Sequence, residues 1–313
     1  MKYNKLINES PAISEIGLGA WQLGINSGWK EMTENQAIAL VQTSLEMGVN
    51  FFDTAPNYGL GTSEQRLGKA LKPFNRESLV VNTKFGHTDT GGTQYDSTGI
   101  RKSLEGSLKR LQMEYVDSLI IHNPPFEYLD GNKNDHYEIL EKLKDEGKIR
   151  GYGASLDTYK EIESLLQTTN SKVIEVFFNI LHQDAARAFG LAKEKNVGII
   201  VKIPLDSGWL TGKYNENSVF YDIRKRWSET DIKTRAVLID KVKDIIGREA
   251  NLAQMAISFC LAYDAVSTVI PGNASLQQLA DNLLSVSKPV SKQLVEKLEL
   301  FFQDEVKDLN IPW

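Results

Sequence analysis

Segments typical of β-strands and of α-helices alternate along this chain, and no linker interrupts them. Eight short apolar runs of strand length are each followed by a segment with the apolar spacing of a helix. No G-x-G-x-x-G turn follows the first run, as a doubly wound sheet would usually require. The pattern therefore predicts an α/β fold, one closed (β/α)8 TIM barrel that forms a single domain over residues 1–313. The predicted strands cover residues 16–24, 49–52, 78–84, 116–122, 148–155, 172–179, 197–204 and 266–270.

Further elements are predicted at both ends of the barrel. Residues 2–6 and 12–16 flank a turn and predict an N-terminal β-hairpin. Thr33 and Ser63 are predicted to be the N-caps of the first two helices. A single helix is predicted over residues 184–195. Extra helices are predicted near the C-terminus, over residues 231–246, 251–262, 276–284 and 291–303.

The composition excludes several functional classes. The hydrophobic share of 41% and the charged share of 25% are those of a soluble globular protein with a full core. A net charge of −5 argues against nucleic acid or an anionic membrane as the partner. The one cysteine, Cys260, lies in an apolar helical pattern and has no partner for an internal disulfide. The N-terminus lacks the apolar core of a signal peptide, and no run reaches membrane-spanning length, so we expect a cytoplasmic protein.

Ionisable side chains occur where three successive predicted strands end. Asp53 follows the second strand, Lys84 ends the third and His122 ends the fourth, while Tyr58 lies on the loop after Asp53. Each has an ordinary structural explanation when taken alone, such as a turn cap, a packed ring or a solvated cation. The carboxyl ends of barrel strands face one mouth, however, so the four groups are predicted to converge there. We predict no metal site.

These four residue types suit the delivery of a proton to a carbonyl oxygen. A tyrosine with a pKa near 10 is a poor acid at neutral pH. A lysine cation beside the hydroxyl lowers that pKa, and an aspartate can hold the lysine in place. The histidine can orient the carbonyl oxygen and help to relay the proton. Because no side chain donates hydride, the set implies a nicotinamide cofactor.

The chain resembles the aldo-keto reductase family over nearly its whole length. The motifs that match are GLGAWQLG, GVNFFDTAPNYGLGTSEQRLGKAL, VVNTKFG, VDSLIIHNPP, GYGAS, VFFN, VKIPLDSGWLTGKY, DIRKRW and VIPGNASLQQLADN. The resemblance implies a (β/α)8 barrel with NAD(P)H-dependent carbonyl reductase activity on a small-molecule substrate. The catalytic tetrad of the family then falls on Asp53, Tyr58, Lys84 and His122.

The resemblance also implies a cofactor site, with departures from the family pattern. Leu156 stands where asparagine is common, Glu175 where glutamine is common, and Lys202 where an aromatic residue or arginine is common. Asp206 adds a charge to the loop over the pyrophosphate, and we expect it to point away or to pair with Lys213 or Arg224. The family habit favours NADP(H) over NAD(H). The implied cofactor residues are Gly19, Ala20, Trp21, Asp53, Ser155, Glu175, Lys202, Leu205, Ser207, Gly208, Leu210, Lys213, Arg224, Gly272, Gln278, Asp281 and Asn282.

The predicted substrate pocket is largely aromatic, and a tail ending in Trp313 is expected to reach its mouth. Aromatic aldehydes, keto-steroids and keto-sugars all remain open as substrates. An alternative interpretation is that Trp209 and Trp227 only pack the long loop. The predicted pocket residues are Trp21, Tyr58, His122, Asn123, Trp209 and Trp227.

Two other functions stay open from the sequence. One is a cofactor-sensing regulatory or binding protein on the same scaffold, with little turnover, which the departures at Leu156, Glu175 and Asp206 permit. The other is a cofactor-free isomerase that uses Lys84 as a Schiff base, and the neighbouring Asp53 argues against it.

Overall fold

A computed structural model describes residues 1–24, 31–309 and 311–312 of the chain. Its central feature is an eight-stranded parallel sheet in which sequence neighbours pair in order. Isolated parallel bridges join Ile16 to Val269 and Gly19 to Gly272, and so connect the first strand region to the last. The sheet is thereby closed, and the prediction of a (β/α)8 TIM barrel is confirmed.

The strands are short and almost fully buried. Two antiparallel strands, β1 and β2, precede the barrel and confirm the predicted hairpin. The bounds are β1 Tyr3–Asn4, β2 Ile13–Ser14, β3 Leu18–Gly19, β4 Phe51–Asp53, β5 Val80–Phe85, β6 Val116–His122, β7 Ile149–Leu156, β8 Val173–Phe177, β9 Gly198–Lys202 and β10 Val266–Ile270.

The helices surround the sheet and include the predicted C-terminal ones. Two of them, α7 and α8, lie between β9 and β10, and two more, α9 and α10, follow β10. The bounds are α1 Glu34–Glu46, α2 Thr62–Leu71, α3 Thr98–Leu111, α4 His136–Asp145, α5 Tyr159–Thr168, α6 Phe189–Glu194, α7 Glu229–Ile246, α8 Leu252–Leu261, α9 Leu276–Leu283 and α10 Lys292–Phe301.

The predicted helix starts are partly right. Thr33 caps α1 in a capping box with Gln36, which confirms that prediction. The predicted cap at Ser63 is wrong, because the N-cap of α2 is Gly61 in the left-handed conformation (φ 88°). Ser63 lies inside the helix, and its hydroxyl donates to the carbonyl oxygen of Ala20 at 2.6 Å. The serine therefore ties α2 to the segment after β3.

The predicted single helix over residues 184–195 is also wrong. A 3-10 turn covers Asp184–Ala188, and α6 begins only at Phe189. The first predicted strand is likewise shorter, because β3 gives way to a 3-10 helix over Ala20–Gly24.

Two apolar layers fill the molecule. The larger cluster lies between the sheet and the helices. A smaller cluster combines side chains from six barrel strands, such as Phe51, Val80 and Ile120, with Leu6 and Ile7 from the hairpin segment. Phe51 and Val80 begin their strands but Ile270 ends β10, so this layer extends along the barrel interior. Leu6 lies against Gly198, the first residue of β9, so the hairpin segment closes the amino end of the barrel. The carboxyl ends are left for polar side chains.

Candidate active site

The carboxyl ends of β4, β5 and β6 bring together the four ionisable side chains predicted to converge. Asp53 is the last residue of β4, His122 is the last of β6, and Lys84 lies one residue before the end of β5. Tyr58 lies on the loop between β4 and α2, where its ring makes an edge contact with the ring of His122 at 5.8 Å between centroids.

The ammonium group of Lys84 is the centre of this site. Its Nζ lies 2.6 and 2.7 Å from the two carboxylate oxygens of Asp53 and 3.3 Å from the hydroxyl of Tyr58. It also donates to the carbonyl oxygen of Thr54 at 3.2 Å. The Lys84 side chain is fully buried, so these contacts replace its hydration. The lysine is thus held by the aspartate and placed against the phenol, as the residue types suggested.

Asn82 positions Asp53 and was missed in the sequence. Its Nδ2 donates to Oδ1 of Asp53 at 2.7 Å, and its own Oδ1 accepts from the hydroxyl of Ser118 at 2.5 Å. All three side chains are buried. Asn82 precedes Lys84 by two residues, so both face the same side of β5, and this spacing was a usable signal.

Burial sets the protonation behaviour of the central groups. Burial and then the Glu175 carboxylate raise the pKa of Asp53 to about 7, against the opposing effect of Lys84. Burial also raises the pKa of Tyr58; Lys84 acts in the predicted downward direction but is outweighed. For Lys84, burial disfavours the charged form, yet the two carboxylates raise its pKa above the usual range. Lys84 is therefore a cation with a protonated phenol beside it.

His122 is a neutral imidazole next to a second one. Burial, and then Lys84, His87 and Lys202, lower the pKa of His122 well below its usual value. The ring of His87 lies 4.7 Å from that of His122, and the hydroxyl of Tyr95 lies 2.9 Å from Nε2 of His87. The same hydroxyl donates to the carbonyl oxygen of His122 at 2.8 Å. His87 and Tyr95 were missed, because neither ends a predicted strand.

A second polar group lies on the next strands around the barrel. Ser155 and Glu175 are register partners on β7 and β8, and the serine hydroxyl lies 3.2 Å from Oε1 of Glu175. Nζ of Lys202 lies 2.9 Å from Oγ of Ser155, 3.0 Å from Oδ1 of Asn123 and 2.8 Å from a carboxylate oxygen of Asp157.

Glu175 joins this second group to the first. Its Oε2 lies 3.1 Å from Nζ of Lys84, so the lysine contacts two carboxylates. The sequence placed Glu175 among cofactor residues but gave no sign of this contact. Leu156, at the end of β7, is buried and adds no polar atom of its side chain to the group.

Asp206 points away from the loop surface, which is the first of the two predicted possibilities. Its carboxylate pairs with Arg235 of α7, with Oδ2 3.2 Å from Nε, and lies 3.5 Å from Nε2 of His182. The ion pairs of Asp206 within the described residues do not include Lys213 or Arg224. The reason is direction: Asp206 is fully buried and points under the loop, toward the helix, where a buried arginine compensates its charge.

The loop after β9 has an unusual backbone. Ile203, Asp206 and Ser207 adopt positive φ angles of 55°, 45° and 52°, and Gly208 has 101°. Arg224 reaches this loop from a 3-10 turn, with Nη1 3.5 Å from the carbonyl oxygen of Ser207. The ion pair between Asp206 and Arg235 and the contact of Arg224 with Ser207 hold these strained conformations in place.

The remaining residues of the predicted pyrophosphate loop are placed differently. Arg224 is also paired with Asp222 and contacts the hydroxyl of Tyr214. Leu210 is fully buried in the core. Leu205 is half-buried, and the side chain of Lys213 is exposed.

The predicted adenosine residues lie on α9 and in the turn before it. Asn282 is buried and donates to the carbonyl oxygen of Gly272 at 3.3 Å and to Oδ1 of Asn273 at 2.8 Å, so it shapes that turn. Oε1 of Gln278 accepts from the backbone of Ala274 at 2.8 Å. Asp281 faces Gln277 at 3.0 Å on the surface of the helix. Gly272 bridges to Gly19, whose register partner is Asp53, so this turn adjoins the catalytic end of β4.

The prediction that Trp209 and Trp227 line the pocket is wrong, and the alternative that they pack the long loop is right. Trp209 is fully buried and Trp227 nearly so, and their rings lie 6.2 Å apart in a cluster with Tyr214 and Phe220. They pack the loop after β9, because a long connection needs an apolar core of its own. Trp21 is half-buried after β3, next to Ala20, and stays a predicted pocket residue. Trp313 lies outside the described residues.

The residues present fit a nicotinamide dinucleotide. A buried hydroxyl and a buried carboxylate, on Ser155 and Glu175, can hold a carboxamide beside the Tyr58 hydroxyl. Among the described residues, Nδ1 of His122 is buried without a hydrogen-bond partner. No group of acidic, histidine or cysteine side chains in the described part of the chain could hold a metal ion. Fold and site together define a TIM-barrel protein with acid–base groups at one barrel mouth.

Comparisons with known proteins agree with this class. A sequence model of the Aldo/keto reductase family matches residues 15–301. L-galactose dehydrogenase of Arabidopsis thaliana is 30% identical over 319 residues, which cover 97% of this chain and 95% of that protein. The NADH-specific methylglyoxal reductase of Escherichia coli is 26% identical, over 92% of this chain and 96% of that protein. The aldo-keto reductase AKR11C1 of Bacillus halodurans (holo form) superposes with a TM-score of 0.82 at 25% identity, with all of both chains covered.

The chain belongs to the aldo/keto reductase family and is an NAD(P)-dependent oxidoreductase that acts on CH–OH or carbonyl groups. This confirms the resemblance seen in the motifs. Within the described residues, no helix is long and apolar enough to cross a membrane.

Proposed function

We propose that this protein is an NAD(P)H-dependent carbonyl reductase in which Tyr58 is the general acid. The observation that supports this most strongly is the position of Lys84 Nζ, in contact with both the Asp53 carboxylate and the Tyr58 hydroxyl. A reduced nicotinamide, when bound, supplies the hydride that makes the carbonyl oxygen negative. A proton donor is needed at that oxygen, and the protonated phenol of Tyr58 can provide it.

The other three groups support the phenol. The Lys84 cation stabilises the phenolate that remains after proton transfer, and Asp53 fixes the lysine in place. His122 is neutral, so its imidazole can donate one hydrogen bond to the carbonyl oxygen without competing as an acid. Asp53 and Lys84 are buried and Tyr58 and His122 are half-buried, so the lysine cation that faces the developing charge is shielded from water.

The same proposal assigns the cofactor residues. Ser155 and Glu175 hold the carboxamide, and the loop from Leu205 to Leu210 with Arg224 lies against the pyrophosphate. The turn before α9, where Gly272 bridges to Gly19, accepts the adenosine end. Gly19, Ala20 and Trp21 then line the dinucleotide from the opposite side.

We further propose NADP(H) as the preferred cofactor, as the family habit favours. Asn273, Ala274 and Ser275 come directly after Pro271 and Gly272, and none of them is basic. The 2′-phosphate therefore relies on Arg224, Arg226 or neutral donors. The Escherichia coli relative is named as NADH-specific, so a preference for NADH is the alternative to be tested. Dissociation constants from quenching of protein fluorescence decide it: tighter binding of NADH than of NADPH contradicts this preference. We expect the protein to act in the cytoplasm.

A carbonyl screen tests the proposed activity. The protein is mixed with NADPH or NADH and a panel of aldehydes and ketones, and loss of nicotinamide absorbance at ~340 nm is followed. We expect turnover of at least one activated aldehyde that depends on Tyr58. Tight cofactor binding with no turnover across the panel would instead favour the cofactor-sensing alternative.

A further inference from the structure

Glu175 places a second buried carboxylate on the central lysine. Its Oε2 lies 3.1 Å from Nζ of Lys84, while Oε1 lies 3.2 Å from the hydroxyl of Ser155. Both Glu175 and Lys84 are excluded from solvent. The glutamate therefore bridges the proton-donating group and the residues proposed to hold the carboxamide.

The charges of this linked cluster do not cancel. Lys84 contacts Asp53 and Glu175, and Lys202 contacts Asp157 at 2.8 Å. Three carboxylates thus face two ammonium groups, and His122 between them is neutral. Burial and then Glu175 raise the pKa of Asp53 to about 7, so above that pH Asp53 is ionised and the cluster has one negative charge in excess. Asp157 is half-buried, but the two carboxylates on Lys84 are buried and weakly screened, so the excess around Lys84 acts on anything bound beside it.

We propose that Glu175 makes the nicotinamide site selective for the oxidised cofactor over the reduced one. The inference rests on the proposed function, which places the nicotinamide next to Ser155 and Glu175. The nicotinamide ring has a positive charge in NAD(P)+ and none in NAD(P)H. A buried excess negative charge therefore stabilises one redox state of the ligand and is indifferent to the other.

A neutral residue of the same shape would lack this effect. Glutamine at position 175 keeps the hydrogen bond to Ser155 and the volume of the side chain, but it removes the charge. The carboxylate of Asp53 alone then balances Lys84. The two cofactor forms should bind with more similar affinities in that variant.

Dissociation constants for NADP+ and NADPH, measured by calorimetry on wild type and Glu175→Gln at a pH above the Asp53 pKa of about 7, test the inference. We expect the ratio of the NADPH constant to the NADP+ constant to fall by about tenfold or more in the variant. Asp117→Asn is the matched control. Asp117 is also buried between basic side chains, Arg76 and Arg150, but it lies near the amino end of β6. We expect its ratio to stay within about twofold of wild type.

Lys202→Met provides a second, independent variant. It removes a positive charge from the same cluster, so the ratio should move in the opposite direction, toward tighter relative binding of NADP+. Circular dichroism confirms that each variant is folded before titration. A ratio that is unchanged in both variants, or that moves the wrong way in either, overturns the inference. If the wild type binds neither cofactor form, the proposed function itself is overturned. That outcome differs from an unchanged ratio of dissociation constants, which overturns only the inference.

Discussion

Asp206 and Arg235 form an ion pair in which both side chains are fully buried, with Oδ2 and Nε 3.2 Å apart. The pair joins the loop after β9 to α7, and Arg235 also donates to the carbonyl oxygen of Pro312 in the C-terminal tail. Its guanidinium lies 4.5 Å from the ring centroid of Trp227. One buried arginine thus connects the loop, a helix and the tail.

Breaking this pair should destabilise the protein and loosen the loop. Arg235→Met leaves the Asp206 carboxylate buried without its main partner, and we expect a loss of about 3–5 kcal/mol in the free energy of unfolding. Cofactor affinity should fall as well, because the loop depends on the pair. The Asp206→Asn, Arg235→Met double variant removes both charges and should recover part of the loss. Denaturant unfolding measures each variant; a double variant as unstable as the sum of the singles would contradict this account.

The sequence indicated one of the two residues of this ion pair, Arg235. Arg235 precedes Leu238, Ile239 and Val242 at helical spacing, so an arginine on the apolar face of α7 could have been noticed. Its partner could not, because Asp206 lies 29 positions earlier on an irregular loop. Only the packing of α7 against that loop brings the two charges together.

The decrease in stability at acidic pH should depend in part on the buried imidazole of His122. Its pKa is lowered by burial, so the unfolded chain binds a proton below pH ~6.5 that the folded protein does not bind. Stability relative to a His122→Asn variant should therefore fall as the pH drops below ~6.5, by up to about 1.4 kcal/mol per pH unit, and be constant above pH ~7.5. Urea midpoints between pH 5 and 8 check this. Parallel curves for wild type and variant would show that the imidazole is not shielded.

Asn82 should matter for the rate more than for cofactor binding. Asn82→Ala removes the donor to Asp53 and leaves Ser118 without its acceptor. We expect a loss of about 1–3 kcal/mol in the free energy of unfolding. Turnover should fall about tenfold as Asp53 and Lys84 lose their alignment, with the dissociation constant of the cofactor nearly unchanged. Ser118→Ala, which removes only the outer hydrogen bond, should have a smaller effect on both quantities.

Trp227 should contribute to stability and not to the choice of substrate. The ring is buried against Trp209, Phe220 and the Arg235 guanidinium. Trp227→Ala should lower the free energy of unfolding by about 3–5 kcal/mol. The ratio of kcat/KM for a small and a bulky aldehyde should not change beyond about twofold. A selective gain in kcat/KM for the bulky aldehyde would contradict this prediction and indicate that Trp227 lines the substrate pocket.

The barrel could be predicted largely from the sequence, because buried parallel strands leave compact apolar runs. The bounds of β6 and β10 agree with the predicted ranges. Ser63 misled, because a serine next to a loop resembles an N-cap whether or not its hydroxyl is needed elsewhere.

The site was predictable only in part, because the sequence shows each strand end but not the contacts between side chains of distant strands. Strand ends could be read from one segment at a time, and this placed Asp53, Lys84 and His122 at one mouth. The contact between Lys84 and Glu175 could not be read in that way, because β5 and β8 are not neighbours in the sheet. It depends on two long side chains that meet inside the closed barrel.

The measurement that tests the central claim most directly is single-turnover reduction of an activated aldehyde by wild type and Tyr58→Phe. Tyr152→Phe is the control, since it removes a hydroxyl that is bonded to Glu141, outside the proposed site. With cofactor dissociation constants within about twofold of wild type, we predict that Tyr58→Phe lowers the rate by about 10²–10⁴-fold and that the control leaves it unchanged. A near-wild-type rate in Tyr58→Phe would contradict the assignment of Tyr58 as the acid.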